Sequence, residues 1–102
     1  MPHYKRVNRD INHKLVADAF RAAGCIVTDT AALGAGFPDL VVVAPDGRVL
    51  LVEVKTPENM RAGKIEREVE FMVRHVTDSY RIVATPEQAA AIIRDRFRRN
   101  ER

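Results

Sequence analysis

Leu40-Val-Val-Val-Ala44-Pro-Asp-Gly-Arg48-Val-Leu-Leu-Val-Glu53-Val-Lys55 decides the fold of this chain. Two runs rich in β-branched residues flank Pro45-Asp-Gly-Arg48, so the stretch predicts a β-hairpin. Pro45 suits the first corner of a type I turn, and Gly47 suits the left-handed residue that follows it. That loop pairs Ala44 with Arg48, and paired residue numbers then sum to about 92. In this register Asp39 stands opposite Glu53, on the same face of the sheet. A two-residue Asp46-Gly47 turn would shift the register by one and send the two carboxylates to opposite faces. Both faces of the strands are apolar: Leu40, Val42, Leu50, Val52 and Val54 on one, Val41, Val43, Val49 and Leu51 on the other. Strands apolar on both sides are expected to be covered on both sides by helices.

Outward from the hairpin, other elements follow from periodicity and caps. A helix capped by Asn8 or Asp10 runs to about Ala23, with a stripe at Ile11, Leu15, Ala19 and Ala22 widened by Val16, Phe20 and Ala23. Gly24 ends it, and Cys25–Thr28 reads as a short strand. Ala31–Pro38 reads as a loop, as does Thr56–Gly63. Ile65, Val69, Met72, Val73 and Val76 mark a second helix, and Tyr80–Ala84 a fourth strand. Thr85-Pro-Glu-Gln88 is a capping box with proline at the first helical position, and Ala89, Ile92, Ile93 and Phe97 form the stripe of the last helix. The order is α-β-β-β-α-β-α, an α/β fold with a mixed sheet flanked by helices, in a single domain over 1–102.

Composition narrows the function classes. The chain has 102 residues, 46% hydrophobic and 30% charged, which is ordinary globular composition. Its longest apolar runs fall far short of the roughly 20 residues of a membrane span. No apolar stretch follows the basic residues of the first segment, so no secretory signal is expected. A lone Cys25 offers neither an internal disulfide nor a cysteine zinc site; it is expected to be a small buried hydrophobe. The expected compartment is cytoplasmic. Charge is uneven: Lys5, Arg6, Arg9 and Lys14 face only Asp10 among the first fourteen residues, and 94–102 holds five arginines against Asp95 and Glu101. Basic ends around a more acidic middle fit a chain that grips a polyanion. The same pattern fits solvated termini, and 1–9 and 98–102 are candidates for disorder.

Chemistry concentrates at one edge of the hairpin. Glu53 and Lys55 are two apart on a strand and share a face; Asp39 opens the neighbouring strand. Two carboxylates, with the Val54 backbone carbonyl, suit a hard divalent cation that keeps open positions for water and a phosphate. Lys55 can donate to the attacking water or to charge building on phosphate oxygens. Gly34 and Gly36 could let the backbone approach a nucleic acid closely.

Gly36-Phe-Pro-Asp39-Leu followed by Leu51-Val-Glu53-Val-Lys55 resembles the PD-(D/E)xK nuclease signature, and the element order resembles that superfamily's restriction-endonuclease-like αβββαβ core. Within it, the chain is similar to the virus-type replication-repair nucleases, the VRR-NUC group, from about Arg9 to Ala91. Many members are small phage proteins, which suggests a bacterial or phage-infected host cell. The resemblance implies Mg²⁺ or Mn²⁺ at Asp39 and Glu53, with Lys55 as the catalytic lysine of DNA phosphodiester hydrolysis. It also implies a branched substrate such as a Holliday junction, cut by a symmetric homodimer. Two positions depart from the pattern. The glutamate usual eleven residues before the first helix's terminal glycine is His13 here, a candidate metal ligand or phosphate contact. The glutamine usual three residues before the second helix's aromatic is Glu68, which would orient Lys55 or add charge at the metal. A non-catalytic nucleic-acid-binding protein on the same fold and an RNA-processing endonuclease are the rival readings.

Overall fold

The computed structural model describes residues 9–34, 36–62, 66–76 and 78–97. The hairpin forms as its turn residues dictate. The Ala44 N–H donates to the Arg48 carbonyl and the Gly47 N–H to the Ala44 carbonyl, both at 2.8 Å. Gly47 sits at φ 92°, which only glycine adopts without strain. Strands β2 (Leu40–Val43) and β3 (Val49–Val54) therefore pair antiparallel with Leu40 opposite Val52 and Val43 opposite Val49.

Around this hairpin the sheet has the order β1-β2-β3-β4. Strand β1 (Ile26–Asp29) pairs antiparallel with β2. Strand β4 (Tyr80–Val83) pairs parallel with β3, with Leu51 beside Tyr80 and Val54 beside Val83. A parallel neighbour needs a crossover, and the chain between β3 and β4 provides one with helices α2 (Pro57–Ala62) and α3 (Arg67–His75). Helices α1 (Arg9–Ala22) and α4 (Pro86–Ile92) pack against each other on one face of the sheet. Helix α4 continues into a wider π turn over Ile93–Phe97.

Helix ends follow local chemistry. Gly24, at φ 96°, closes α1. The Cys25 N–H donates to the Phe20 carbonyl and the Gly24 N–H to that of Arg21, both at 3.0 Å, which is the paired closure of a Schellman motif. At α4 the Thr85 hydroxyl accepts from the Gln88 N–H, and the Gln88 side chain accepts from the Thr85 N–H. The core lies between the sheet and this helix pair: Val16, Phe20, Leu40, Val42, Leu50, Val52, Val83 and Ala89 are fully buried. Cys25 is buried as expected, and burial pushes its thiol up to about 11. Among the described residues no helix is long and apolar enough to cross a membrane.

Three expectations are corrected. The first helix does not bury Ile11 and Leu15, which are 58% and 47% exposed; it buries Asn12, Val16, Ala17 and Phe20. The stripe is rotated by one residue because the sheet's row of fully buried valines and leucines takes the bulky Phe20 and Val16. Residues 57–62 are a helix rather than a loop. Thr56-Pro-Glu-Asn59 repeats the chemistry of Thr85-Pro-Glu-Gln88: the Asn59 N–H donates to the Thr56 hydroxyl, and the Met60 N–H to the Thr56 carbonyl. Finally, the second sheet face is covered only in part among the described residues. Helix α3 reaches β4, burying Val69 and Tyr80, while Val41, Val43 and Leu51 stay half-buried and Val49 and Ile26 are exposed. The apolar residue Ile65 lies outside the described residues.

Candidate functional site

The register of the hairpin brings the two carboxylates together. Leu40 pairs with Val52, so Asp39, the residue just before β2, comes beside Glu53, close enough for its charge to raise the Glu53 pKa. Asp39 is fixed from both sides. The Thr30 N–H donates to its carbonyl at 2.8 Å, and the Thr30 hydroxyl donates to the Pro38 carbonyl at 2.7 Å, tying the end of β1 to the approach to β2. The Val54 N–H donates to Asp39 Oδ2 at 2.9 Å. On an extended strand a residue's C=O points to the same side as its N–H, so the Val54 carbonyl is turned toward Asp39 as well. Lys55 follows the last residue of β3, and its N–H donates to the Val83 carbonyl.

Glu53 feels this arrangement most. Its carboxyl is half-buried, and burial pushes its pKa up from 4.5 to about 7. The charge of Asp39 adds to the rise and Glu66 contributes further; Lys55 and Arg9 oppose it. Tyr80, buried on the same face, has its hydroxyl raised by burial and then by Glu53 and Asp39. Burial and a neighbouring carboxylate thus both favour the neutral form of Glu53.

A stability measurement checks this. Unfolded, Glu53 loses its proton near 4.5; folded, near 7. The folded state therefore holds the proton more tightly, and its contribution to stability is fully present below about 4.5 and lost as pH rises to about 7. The metal-free protein is expected to lose stability over that window relative to Glu53→Gln. Parallel denaturation curves for the two proteins across it would show that Glu53 is not so perturbed.

Beside the pair lies a cavity of about 500 Å³ between α1 and the ends of β1, β2 and β3. Asp39, Val54 and Lys55 line it on the sheet side, and Arg9, Asn12, His13 and Lys14 on the helix side. Glu53 is not among its lining residues; it belongs to the face of Leu51 and Tyr80. Lys14 is paired with Asp18 at 2.6 Å. His13 points to β1, with Nδ1 3.9 Å from Asp29 Oδ2, and its Nε2 is buried without a hydrogen-bond partner. Among the described residues no three of the His, Cys, Asp and Glu side chains gather closely enough to hold a metal ion. His13 nevertheless lines the same cavity as Asp39, with its imidazole beside Asp29. Gly34 and Gly36 both have positive φ, 62° and 81°, in the loop before Asp39. Glu68 lies on α3 and Arg9 at the start of α1. Lys5 and Arg6, and the side chain of Glu68, fall outside the described residues.

Asn12 is the residue that reading the sequence missed. It is buried, and its side-chain amide donates to the carbonyls of Lys55 at 3.0 Å and Ala84 at 3.1 Å. One side chain thereby clamps the ends of β3 and β4 and sets the backbone from which Lys55 extends. The signal was present: Asn12 precedes Val16 and Phe20 at four-residue steps, a polar group in line with the deepest residues of the helix.

No curated protein matches the chain. A solved structure described as a VRR_NUC domain matches it with a TM-score of 0.65 and 26% sequence identity, over 86% of this chain and 96% of that one. The family model described as "VRR-NUC domain" matches residues 3–83, which span α1, the hairpin with Asp39, Glu53 and Lys55, and β4. With the mixed sheet and the facing carboxylates in the same stretch, the chain belongs to the VRR-NUC domain family and is a nuclease-type domain.

Proposed function

We propose that this protein is a divalent-metal-dependent endonuclease that hydrolyses DNA phosphodiester bonds, with Mg²⁺ or Mn²⁺ held by Asp39, Glu53 and the Val54 carbonyl. The observation that carries the reading is the carboxylate pair across β2 and β3, with Glu53 raised to about 7 by burial and by Asp39. All-oxygen donors suit these cations, and a cation there would relieve the repulsion that raises Glu53. When bound, a divalent cation supplies Lewis-acid activation of phosphate and water.

The chain's own residues do the rest. Asp39, oriented by Val54 and Thr30, presents one carboxylate oxygen while the other accepts a hydrogen bond. Lys55 offers a donor to charge growing on the phosphate oxygens. Arg9 and Lys14, on the wall of the cavity, would neutralise flanking phosphates. Branched DNA and a two-fold homodimer, one site per strand, extend the same reading from the family.

The test is cleavage of a panel of duplex, single strand, flap, four-way junction and RNA, each with Mg²⁺, Mn²⁺ or chelator. Metal-dependent cutting of DNA, best on branched forms, is expected. DNA binding with no cutting in either metal would favour the non-catalytic reading. Cutting of RNA alone would favour RNA processing.

A further inference from the structure

Two aromatic rings stand exposed, one on the loop that precedes Asp39 and one on α3. Phe71 is 58% exposed and Phe37 45%. Burial of rings is among the larger favourable terms in folding, so rings left in water by a chain this small call for a use. Between them lie two adjoining hollows of about 420 and 350 Å³. Gly36 and Met72 border both, so the hollows form one groove between α3 and the loop that precedes Asp39. Leu51 lines it, two residues before Glu53 on the same face of β3, and Phe37 lines it, two residues before Asp39. The groove therefore leads up to the carboxylates. Among the described residues that line it, Arg67 is the charged one.

Phe71 is also held in a set orientation. Its ring is stacked on His75, with centroids 4.2 Å apart and planes 21° from parallel, and His75 Nδ1 is 2.9 Å from the Phe71 carbonyl. One face of the ring is supported while the ring lines the groove. A supported aromatic in an apolar groove with a cation at hand suits a planar heterocycle carrying a phosphate.

We propose that this groove receives an unpaired nucleobase of the DNA substrate, stacked on Phe71, with Arg67 facing the adjoining phosphate. The inference rests on the nuclease reading above and deepens it by naming the substrate feature recognised. A base inside an intact duplex is stacked on its neighbours and cannot enter. A base at a gap, flap or branch can, so the groove selects interrupted DNA without reading its sequence, since every base has a π face.

Binding is measured in chelator, so that no cleavage intervenes, with a gapped and a fully paired duplex of one sequence. Phe71→Leu keeps the apolar bulk but loses the ring; it is expected to weaken gapped DNA about tenfold, the scale of one stacked base, and to leave paired duplex unchanged. The chain has no tryptophan, so Phe71→Trp introduces a single reporter. It should retain the affinity for gapped DNA, and its emission should be quenched by gapped but not by paired duplex. Equal weakening of both DNAs, or of neither, or unquenched emission, would overturn the proposal. So would Phe71→Leu turning a dimer into a monomer by sedimentation, because a second copy of the chain would then be the occupant. The nuclease reading fails separately: selective binding of gapped DNA by a protein that cuts nothing in Mg²⁺ or Mn²⁺ would leave the groove and remove the chemistry.

Discussion

Alanine at Asp39, Glu53 or Lys55 is expected to lower DNA cleavage by roughly a thousandfold or more, which corresponds to about 4 kcal/mol of transition-state stabilisation. Each carboxylate supplies half of the carboxylate pair proposed to hold the metal ion, and Lys55 is the side chain proposed to donate to charge growing on the phosphate under attack. The folded state should survive all three changes, because none of these side chains belongs to the fully buried core. Asp39 needs a finer control, since its Oδ2 also accepts from the Val54 N–H. Asp39→Asn keeps an acceptor for that N–H while removing the charge. It should therefore be as inactive as Asp39→Ala and closer to the unaltered protein in stability. Removing Asp39 should also bring the Glu53 pKa down, because Asp39 is the largest charge that raises it. A Lys55→Ala protein that cuts at the unaltered rate would mean that the phosphate charge is met elsewhere.

The second large effect belongs to Asn12, which touches no substrate. Its amide satisfies two carbonyls, those of Lys55 and Ala84, from a buried position. Asn12→Ala leaves both without that donor, at about 1–3 kcal/mol for each buried group left unsatisfied. A loss of about 2–4 kcal/mol is expected, enough in a domain this small to lower the melting temperature by more than about 10 °C. Cleavage should fall too, below the temperature at which the variant melts, since the strand end that carries Lys55 is no longer held. Asn12→Asp sharpens the test: a carboxylate facing two carbonyl oxygens should be worse than alanine at neutral pH and recover in acid. An Asn12→Ala protein with unaltered melting and unaltered rate would show that the clamp does not matter.

The contrast between these two predictions marks where the sequence was legible. Asp39 and Glu53 could be set face to face from residues 44–48 alone, because a short turn constrains its own register and Gly47 leaves one arrangement without strain. The Thr85 cap and the end of α1 at Gly24 were equally local, since the partners in each case lie within five residues. Helix α2 was open to the same reading, because Thr56-Pro-Glu-Asn59 differs little from Thr85-Pro-Glu-Gln88, but its few apolar residues hid it among loop signals.

What only the tertiary structure decided depends on partners far along the chain. Asn12 meets carbonyls 43 and 72 residues away. Which stripe of α1 is buried follows from the row of valines and leucines on the sheet, not from the helix's own periodicity, which allowed Ile11 and Leu15 as readily as Val16 and Phe20. His13 faces Asp29 because of where β1 sits against that helix. The raised pKa of Glu53 needs both the neighbour that the hairpin supplies and the burial that the packed domain supplies. The sequence by itself determined which carboxylates meet, because turn geometry is short-range; the packing of α1 and α3 on the sheet decided how deeply they are buried and what surrounds them, because burial is a property of the whole chain.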